Sequence, residues 1–351
     1  TVFLLLLFAW PFMLLTALAI WLEDGFGAPV LFRQQRVGRD GKAFRLFKFR
    51  TMVPDAETRL AAYLKLNAKA AEEWEAERKL SNDPRITRIA ILDVTEVSDG
   101  NGTGLGLAIA RHFAERGANV MFADMDEERL LHELGPNEDG SATRYFAGDL
   151  RERLTLANLL SATIDAFDRV DILVNACRQV MVSETLSPEE DAVEDLFRRN
   201  VLTALRLSQL VAKRMIKQAE GKRGPAGSIV NISSIMANRA TDGLLAYSMS
   251  SAAIDQMTRA MAVSLAPQNI RVNGVAFGSV MSASLMAALK EMPEWRDQIE
   301  EHTPMGRIAA AQELVEAVQF LASDAASFTT GHIMTVDGGR SLLDAAGTSA
   351  H

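Results

Sequence analysis

The sequence predicts an α/β protein built on a doubly wound, parallel sheet. Three observations carry that expectation. From Ile89 onward, short apolar runs alternate with amphipathic segments, the order that gives parallel strands joined by helices. The first run, IAILDVTEV, leads into DGNGTGLGLAIARHFAERG and then ANVMFAD. That order is a strand, a glycine-rich turn, a helix and a second strand. Further on, an apolar strand from Ser228 to Ile232 ends in Ser233-Ser234, an amphipathic segment opens at Tyr247, and IRVNGVAF closes the unit. A hydroxyl at a strand end and a tyrosine at a helix start converge at the carboxyl edge of such a sheet.

The bulk numbers set bounds. At 351 residues the chain is long enough for two domains. Charged residues make up 23% and hydrophobic ones 48%, which suits a core-forming chain. The net charge of -8 argues against a nucleic-acid partner. The single cysteine, Cys177, excludes an intrachain disulfide. No internal repeat is visible. The chain opens on Thr1, so its true start is expected upstream.

Ahead of the alternating part lies VFLLLLFAWPFMLLTALAIWL, from Val2 to Leu22. At about 1.5 Å per residue a helix of this length reaches across a hydrocarbon core of about 30 Å. Pro11 removes a backbone donor near its middle, so a kinked hairpin dipping into one leaflet fits as well as a span. No basic segment precedes the run and no small-residue cleavage site follows it, against a removable leader. Arg33, Arg36, Arg39, Lys42, Arg45, Lys48 and Arg50 then face one acid, Asp40. A basic run beside a hydrophobic segment marks the cytoplasmic side and attracts anionic headgroups. Ala56 to Leu80 is rich in Ala, Glu, Leu and Lys and lacks Gly and Pro, as a solvated connector helix would be. Asp83-Pro84 ends it.

The stretch APVLFRQQRVGRDGKAFRLFKFRTMVPDAE closely resembles the N-terminal part of bacterial sugar transferases, the monotopic phosphoglycosyl transferases. The resemblance ends at SNDPRITRI, about residue 88. It implies a seat on the cytoplasmic face of the bacterial inner membrane, with membrane lipid or polyprenyl phosphate as partner. It also implies Asp55 as nucleophile, Glu57 as its partner, and Mg wherever that part is active. The family's downstream Leu-Asp-Glu-Leu-Pro-Gln and Gly-Pro-Arg-Pro segments are absent. A nucleophile without groups to orient its substrate loses most of its rate advantage. The expected division is therefore a transferase-like segment at 1–54, a connector at 55–88, a nucleotide-binding domain at 89–345 and a tail at 346–351.

Ser234 and Tyr247 stand thirteen residues apart, and with the glycine turn they resemble the short-chain dehydrogenase/reductase family. The family pattern is Ser, then Tyr-x-x-x-Lys, on a Rossmann-like sheet. Here Ser251 occupies the Lys position. Two glycine registers are open, Gly100-Asn101-Gly102 or Gly104-Leu105-Gly106. Gly100, Gly104 and Gly106 are preferred, because Gly106 runs straight into LAIA, the helix face that must hug the sheet. Glycine lets the backbone approach a pyrophosphate, and the helix N-terminus favours its charge. Asp124, ending the second strand, would accept from adenosine ribose hydroxyls and repel a 2′-phosphate, favouring NAD over NADP. The competing reading of Asp124 is a helix N-cap.

The resemblance implies further roles. Asp149 and Leu150 take the adenine side. Asn175 matches the first position of the family's Asn-Asn-Ala-Gly, whereas Arg178 stands where the glycine leaves space. Asn200 sits at the catalytic Asn position, inside an expected single helix from Glu190 to Lys217. Gly278, Val280 and Ser282 match a cofactor loop, with Phe277 in place of Pro. Met281 to Glu301 would form a substrate lid. In relatives the long helix and the Tyr helix pack across a dimer interface, so a homodimer or homotetramer is expected.

In intact relatives Tyr is the general acid/base, the Lys ammonium favours its ionised form, Ser polarises the carbonyl and Asn anchors a water. Here Ser251 carries no charge, so general acid/base catalysis contributes less unless another cation, such as Arg178 or Arg239, substitutes. The expected function is a weakened, membrane-attached NAD(H)-dependent oxidoreductase acting on a polar carbonyl or hydroxyl compound. A nucleotide sugar of exopolysaccharide synthesis is the candidate substrate. The alternatives are a non-catalytic NAD-binding scaffold and an undecaprenyl-phosphate sugar phosphotransferase with an accessory reductase domain.

Overall fold

The computed structural model describes residues 31–37, 43–49, 89–93, 104–138, 141–187, 189–221 and 224–344. It divides into two compact units, one up to Thr87 together with Glu138–Gly140, the other comprising the rest from Arg88 onward.

In the first unit, β1 (Leu31–Val37) and β2 (Ala43–Phe49) form an antiparallel hairpin, in register from Leu31 opposite Phe49 to Val37 opposite Ala43. Arg33, Arg36, Arg45 and Lys48 of the basic run lie in this strand pair. Its aromatic and Val content also suits strands. The apolar run from Val2 to Leu22, the connector helix, Asp55 and Glu57 lie outside the described residues. Among the described residues no helix is long and apolar enough to cross a membrane.

The second unit is the doubly wound sheet. Its strands are β3 (Ile89–Asp93), β4 (Asn119–Asp124), β5 (Thr143–Ala147), β6 (Ile172–Asn175), β7 (Gly227–Ser234), β8 (Ile270–Phe277) and β9 (Ile333–Val336). All seven pair in parallel, in the order β5-β4-β3-β6-β7-β8-β9. The order reverses between β3 and β6, and the carboxyl ends there open the crevice in which such sheets take ligands.

Helices cover both faces. One face carries α1 (Leu105–Glu115), and the other α3 (Arg153–Phe167); between them in sequence runs α2 (Glu127–Leu134). Sequence periodicity predicts a single helix from Glu190 to Lys217, and the structure is helical without a gap from Val193 to Ala219, with a π-helical turn inside it. The segment runs from α4 (Val193–Leu196) through a π-helical turn (Phe197–Leu202) into α5 (Thr203–Ala219). The extra residue of a π turn re-aims side chains without ending the helix, so hydrophobic spacing alone does not reveal it. The Tyr helix, α6 (Leu245–Leu265), starts two residues before Tyr247. Last come α7 (Ala283–Glu291), α8 (Glu294–Glu301) and α9 (Ala311–Ala322); the first two lie within the expected lid.

Two apolar layers hold the helices down. Ile109 and Phe113 of α1 join Phe122, Val275, Leu314 and Val318 on one side. Leu156 and Leu159 of α3 join Leu207, Val211 and Met215 of α5 and Ile229 on the other. Each fully buried Leu contributes about 1.5–3 kcal/mol, so these layers fix the strand ends on which the site stands.

Candidate active site

The site is built on the carboxyl ends of β4 to β8. Gly104 caps α1 with φ -61 and ψ 151, and no acidic residue occupies the first turn. A helix N-terminus without first-turn carboxylates favours an anion. Leu105 and Gly106 are buried where α1 meets the sheet. Gly100 lies outside the described residues.

Asp124 ends β4 at 5% exposure. Its Oδ1 accepts the Asp126 N–H at 3.1 Å. Burial raises its pKa above the ordinary carboxylate value, against the opposing pull of that hydrogen bond and of Arg129. The helix N-cap alternative falls to Asp126 instead, whose Oδ1 accepts from Arg129 N at 3.0 Å. Asp149 and Leu150 line a small cleft with Met125, Cys177 and Gln179. Asp149 is not free, however. Arg151 grips it through two nitrogens, at 2.8 and 2.6 Å, and holds its pKa below the ordinary value.

Asn175 closes β6. Its Nδ2 donates to Asn231 Oδ1 at 2.7 Å and Ser208 Oγ at 2.9 Å, so this side chain ties strands and helix together beneath the rim. Cys177 is half-buried, its Sγ 3.8 Å from the Arg199 carbonyl.

Ser234 and Tyr247 are 4% and 3% exposed. A cavity of about 10 Å³ is lined by Cys177, Arg178, Asn200, Ser233, Tyr247 and Ser251 among others. That is room for about one water. Ser233, not Ser234, lines it. Ser234 Oγ accepts the Met236 N–H at 3.2 Å, which leaves its O–H free to donate.

Asn200 stands in the π turn. Its Oδ1 accepts the Gln179 N–H at 2.9 Å and its Nδ2 donates to the Gln179 carbonyl at 2.9 Å. This side chain clamps the loop after β6, while Asn200 also lines the cavity beside Tyr247. Ser251 Oγ donates to the Tyr247 carbonyl at 2.9 Å, so this hydroxyl is bonded back into its own helix.

The loop cation is the residue whose position sequence reasoning left open. Arg178 Nε donates to Tyr247 Oη. Its Cζ lies 5.2 Å from the Tyr247 ring centroid and 4.4 Å from that of Phe277. The available signal was a pair of departures, Arg for Gly at 178 and Phe for Pro at 277, and the two side chains stack on each other.

The matched loop after β8 is framed by packing. A Cβ on Gly278 would meet Asp337 Cβ at 2.9 Å. Val280 bridges Ala309, and Ser282 Oγ caps α7 by accepting from Leu285 N at 3.3 Å.

Residues 100–341 match the family described as enoyl-(acyl carrier protein) reductase. The chain is a short-chain dehydrogenase/reductase. This reductase is 34% identical to an uncharacterized oxidoreductase of Mycobacterium tuberculosis over 252 residues, 70% of this chain and 92% of that one. It is 33% identical to the 7alpha-hydroxysteroid dehydrogenase of Escherichia coli over 245 residues, 68% of this chain and 91% of the relative. A solved 7 alpha-hydroxysteroid dehydrogenase complexed with NADH and 7-oxo glycochenodeoxycholic acid superposes with a TM-score of 0.62 at 31% identity. That match spans 74% of this chain and 98% of the other. Residues 1–93 match the bacterial sugar transferase family, so the reductase is a fusion with a segment of that kind.

A nicotinamide cofactor is the family's redox group, and the residues fit its adenosine half: a helix N-terminus at Gly104 without first-turn acids and a buried acceptor at Asp124. At the nicotinamide end the fit depends on the Arg178 side chain, which shares the small cavity with Tyr247.

Proposed function

We propose that the reductase is an NAD(H)-dependent oxidoreductase of reduced catalytic power, acting on a polar carbonyl or hydroxyl compound at the cytoplasmic face of the bacterial inner membrane. The observation that carries the redox part is the meeting of Tyr247, Asn200 and Ser251 around one cavity, with Ser234 closing the adjacent strand. Asp124 favours NAD, because a carboxylate at the ribose repels a 2′-phosphate.

A nicotinamide cofactor, once bound, would supply or accept the hydride. Tyr247 gives its phenolic proton to the substrate oxygen in reduction and takes it back in oxidation. Ser234 donates its O–H to that oxygen. Ser251 offers no charge to the pair. Asn200 fixes the Gln179 backbone and so the loop facing Tyr247.

The membrane seat and a nucleotide-sugar substrate are supported by the sugar-transferase match over residues 1–93, on the same chain as the redox domain. Homodimers or homotetramers through α5 and α6 belong to the same reading. NADH oxidation by membranes containing the full chain, with a UDP-keto-sugar as acceptor, tests it. Tyr247→Phe is expected to abolish the rate; equal rates in both proteins remove the oxidoreductase reading.

A second reading draws on the same match: the fused segment transfers sugar phosphate to polyprenyl phosphate, with Mg, through Asp55 and Glu57. Asp55→Ala would then abolish incorporation of radiolabelled sugar phosphate into membranes, and no incorporation by the wild type ends this idea. A third reading, a scaffold that binds NAD without turnover, is favoured by the narrowness of the cavity beside Tyr247. Turnover of any carbonyl substrate sinks it.

A further inference from the structure

We propose that Arg178 is the cation of this active site, standing in for the missing charge at position 251 and supporting the ionised form of Tyr247. This deepens the oxidoreductase reading and rests on Tyr247 being its acid/base.

Three departures from the family pattern meet in one place. Ser251 is uncharged, and its hydroxyl is engaged with the Tyr247 carbonyl at 2.9 Å. Arg178 replaces a glycine, and its Nε donates to the Tyr247 hydroxyl. Phe277 replaces a proline, and its ring lies 4.4 Å from the Arg178 Cζ. A planar guanidinium stacks flat on an aromatic face while its edge donates hydrogen bonds, whereas an ammonium meets a ring only as a point charge. Phe277 and Tyr247 are buried and Arg178 is half-buried, so water screens this pair less than it would at an open surface. Asn200 then holds the next residue, Gln179, through both backbone groups, which limits where the arginine can reach.

The arrangement has chemical consequences. In carbonyl reduction the substrate carbon takes a hydride from the nicotinamide reductant and its oxygen takes the Tyr247 proton, leaving an alcohol and a phenolate. The Arg178 charge lies against that phenolate oxygen and stabilises it; solvent later returns the proton. With Nε on Tyr247, no further hydrogen bond to the guanidinium is present among the described residues. Its terminal nitrogens remain as donors for a ribose or substrate hydroxyl.

The full chain is compared with Arg178→Met, Arg178→Lys, Tyr247→Phe and the double variant Arg178→Gly, Ser251→Lys. The chain has three tyrosines, so the tyrosinate absorbance lost in Tyr247→Phe isolates the one of interest. That signal is expected to develop at lower pH in the wild type than in Arg178→Met, with Arg178→Lys between them. With ethyl lactate and NAD as probes, the rise of oxidation rate with pH moves to higher pH in Arg178→Met, and the rate at neutral pH falls about tenfold or more. The double variant recovers rate by returning a lysine to the helix.

Coincident tyrosinate titrations in the wild type and Arg178→Met overturn the proposal. So does NADH binding, followed by cofactor fluorescence, that tightens tenfold or more in Arg178→Met with a rise in rate, because Arg178 is then a plug. If no variant binds NADH, the oxidoreductase reading falls, while the tyrosinate titration still decides the role of Arg178.

Discussion

Asn200 and Gln179 are joined in both directions: the Asn side chain accepts the Gln179 N–H and donates to its carbonyl, each at 2.9 Å. Asn200 is 5% exposed and sits in the π turn. The backbone next to Arg178 is thus held by a side chain more than twenty residues away in sequence. Asn200→Ala leaves both backbone groups of Gln179 without their partner, at a cost of about 1–3 kcal/mol. Thermal unfolding is expected to show that loss, with faster proteolysis of the 178–186 loop. An unchanged melting temperature and loop cleavage rate would contradict the clamp.

The proposed preference for NAD rests on Asp124. Asp124→Ala is expected to weaken NADH binding about tenfold or more, the worth of a hydrogen bond to a charged group, while NADPH binding holds or improves. Burial raises the carboxyl above its usual range, and ribose hydroxyls bind the ionised form. NADH affinity in the wild type therefore declines as the solution is acidified into that raised range, and this decline is absent from the Ala variant. Fluorescence titration with both cofactors across pH checks both statements.

Gly278 is required by space. An added Cβ would meet Asp337 Cβ at 2.9 Å and its Cα at 3.2 Å, and backbone on both sides leaves little room to yield. Overpacking of this kind costs about 1–3 kcal/mol. Gly278→Ala is expected to lower the denaturation midpoint in urea without changing the slope. A midpoint equal to that of the wild type would show that the β8 and β9 ends give way.

Asp255, one turn beyond Ser251 on α6, is 3% exposed, and its Oδ1 has no hydrogen-bond partner among the described residues. Burial, opposed by the Ser233 hydroxyl and by Arg259, raises its pKa. A carboxyl whose folded pKa is raised costs stability once pH exceeds the unfolded value, and the cost is complete above the folded one. Asp255→Asn is therefore expected to be more stable than the wild type near neutral pH, by about 1–3 kcal/mol. The gap closes as pH falls below the ordinary carboxylate range. Melting curves over that interval provide the check; a gap that widens toward acid has the wrong sign.

The parallel sheet was legible because each strand is a short apolar run and each crossover helix has its own period. The positions of Ser234, Tyr247 and Asp124 at element ends followed from the same pattern. The π turn inside the helix after Glu190 was not legible, since it adds a residue to one turn without ending the helix. Nor was the engagement of Asp149 by Arg151, which depends on how the β5 loop turns. The order of residues alone decided that a charge is missing at position 251 and that an arginine stands at 178. Whether those two facts concern each other was decided in three dimensions. A long side chain can point many ways, and its direction here is selected by a stacking surface on β8, an acceptor on α6 and a clamp from the π turn, three elements that meet only when the sheet is assembled.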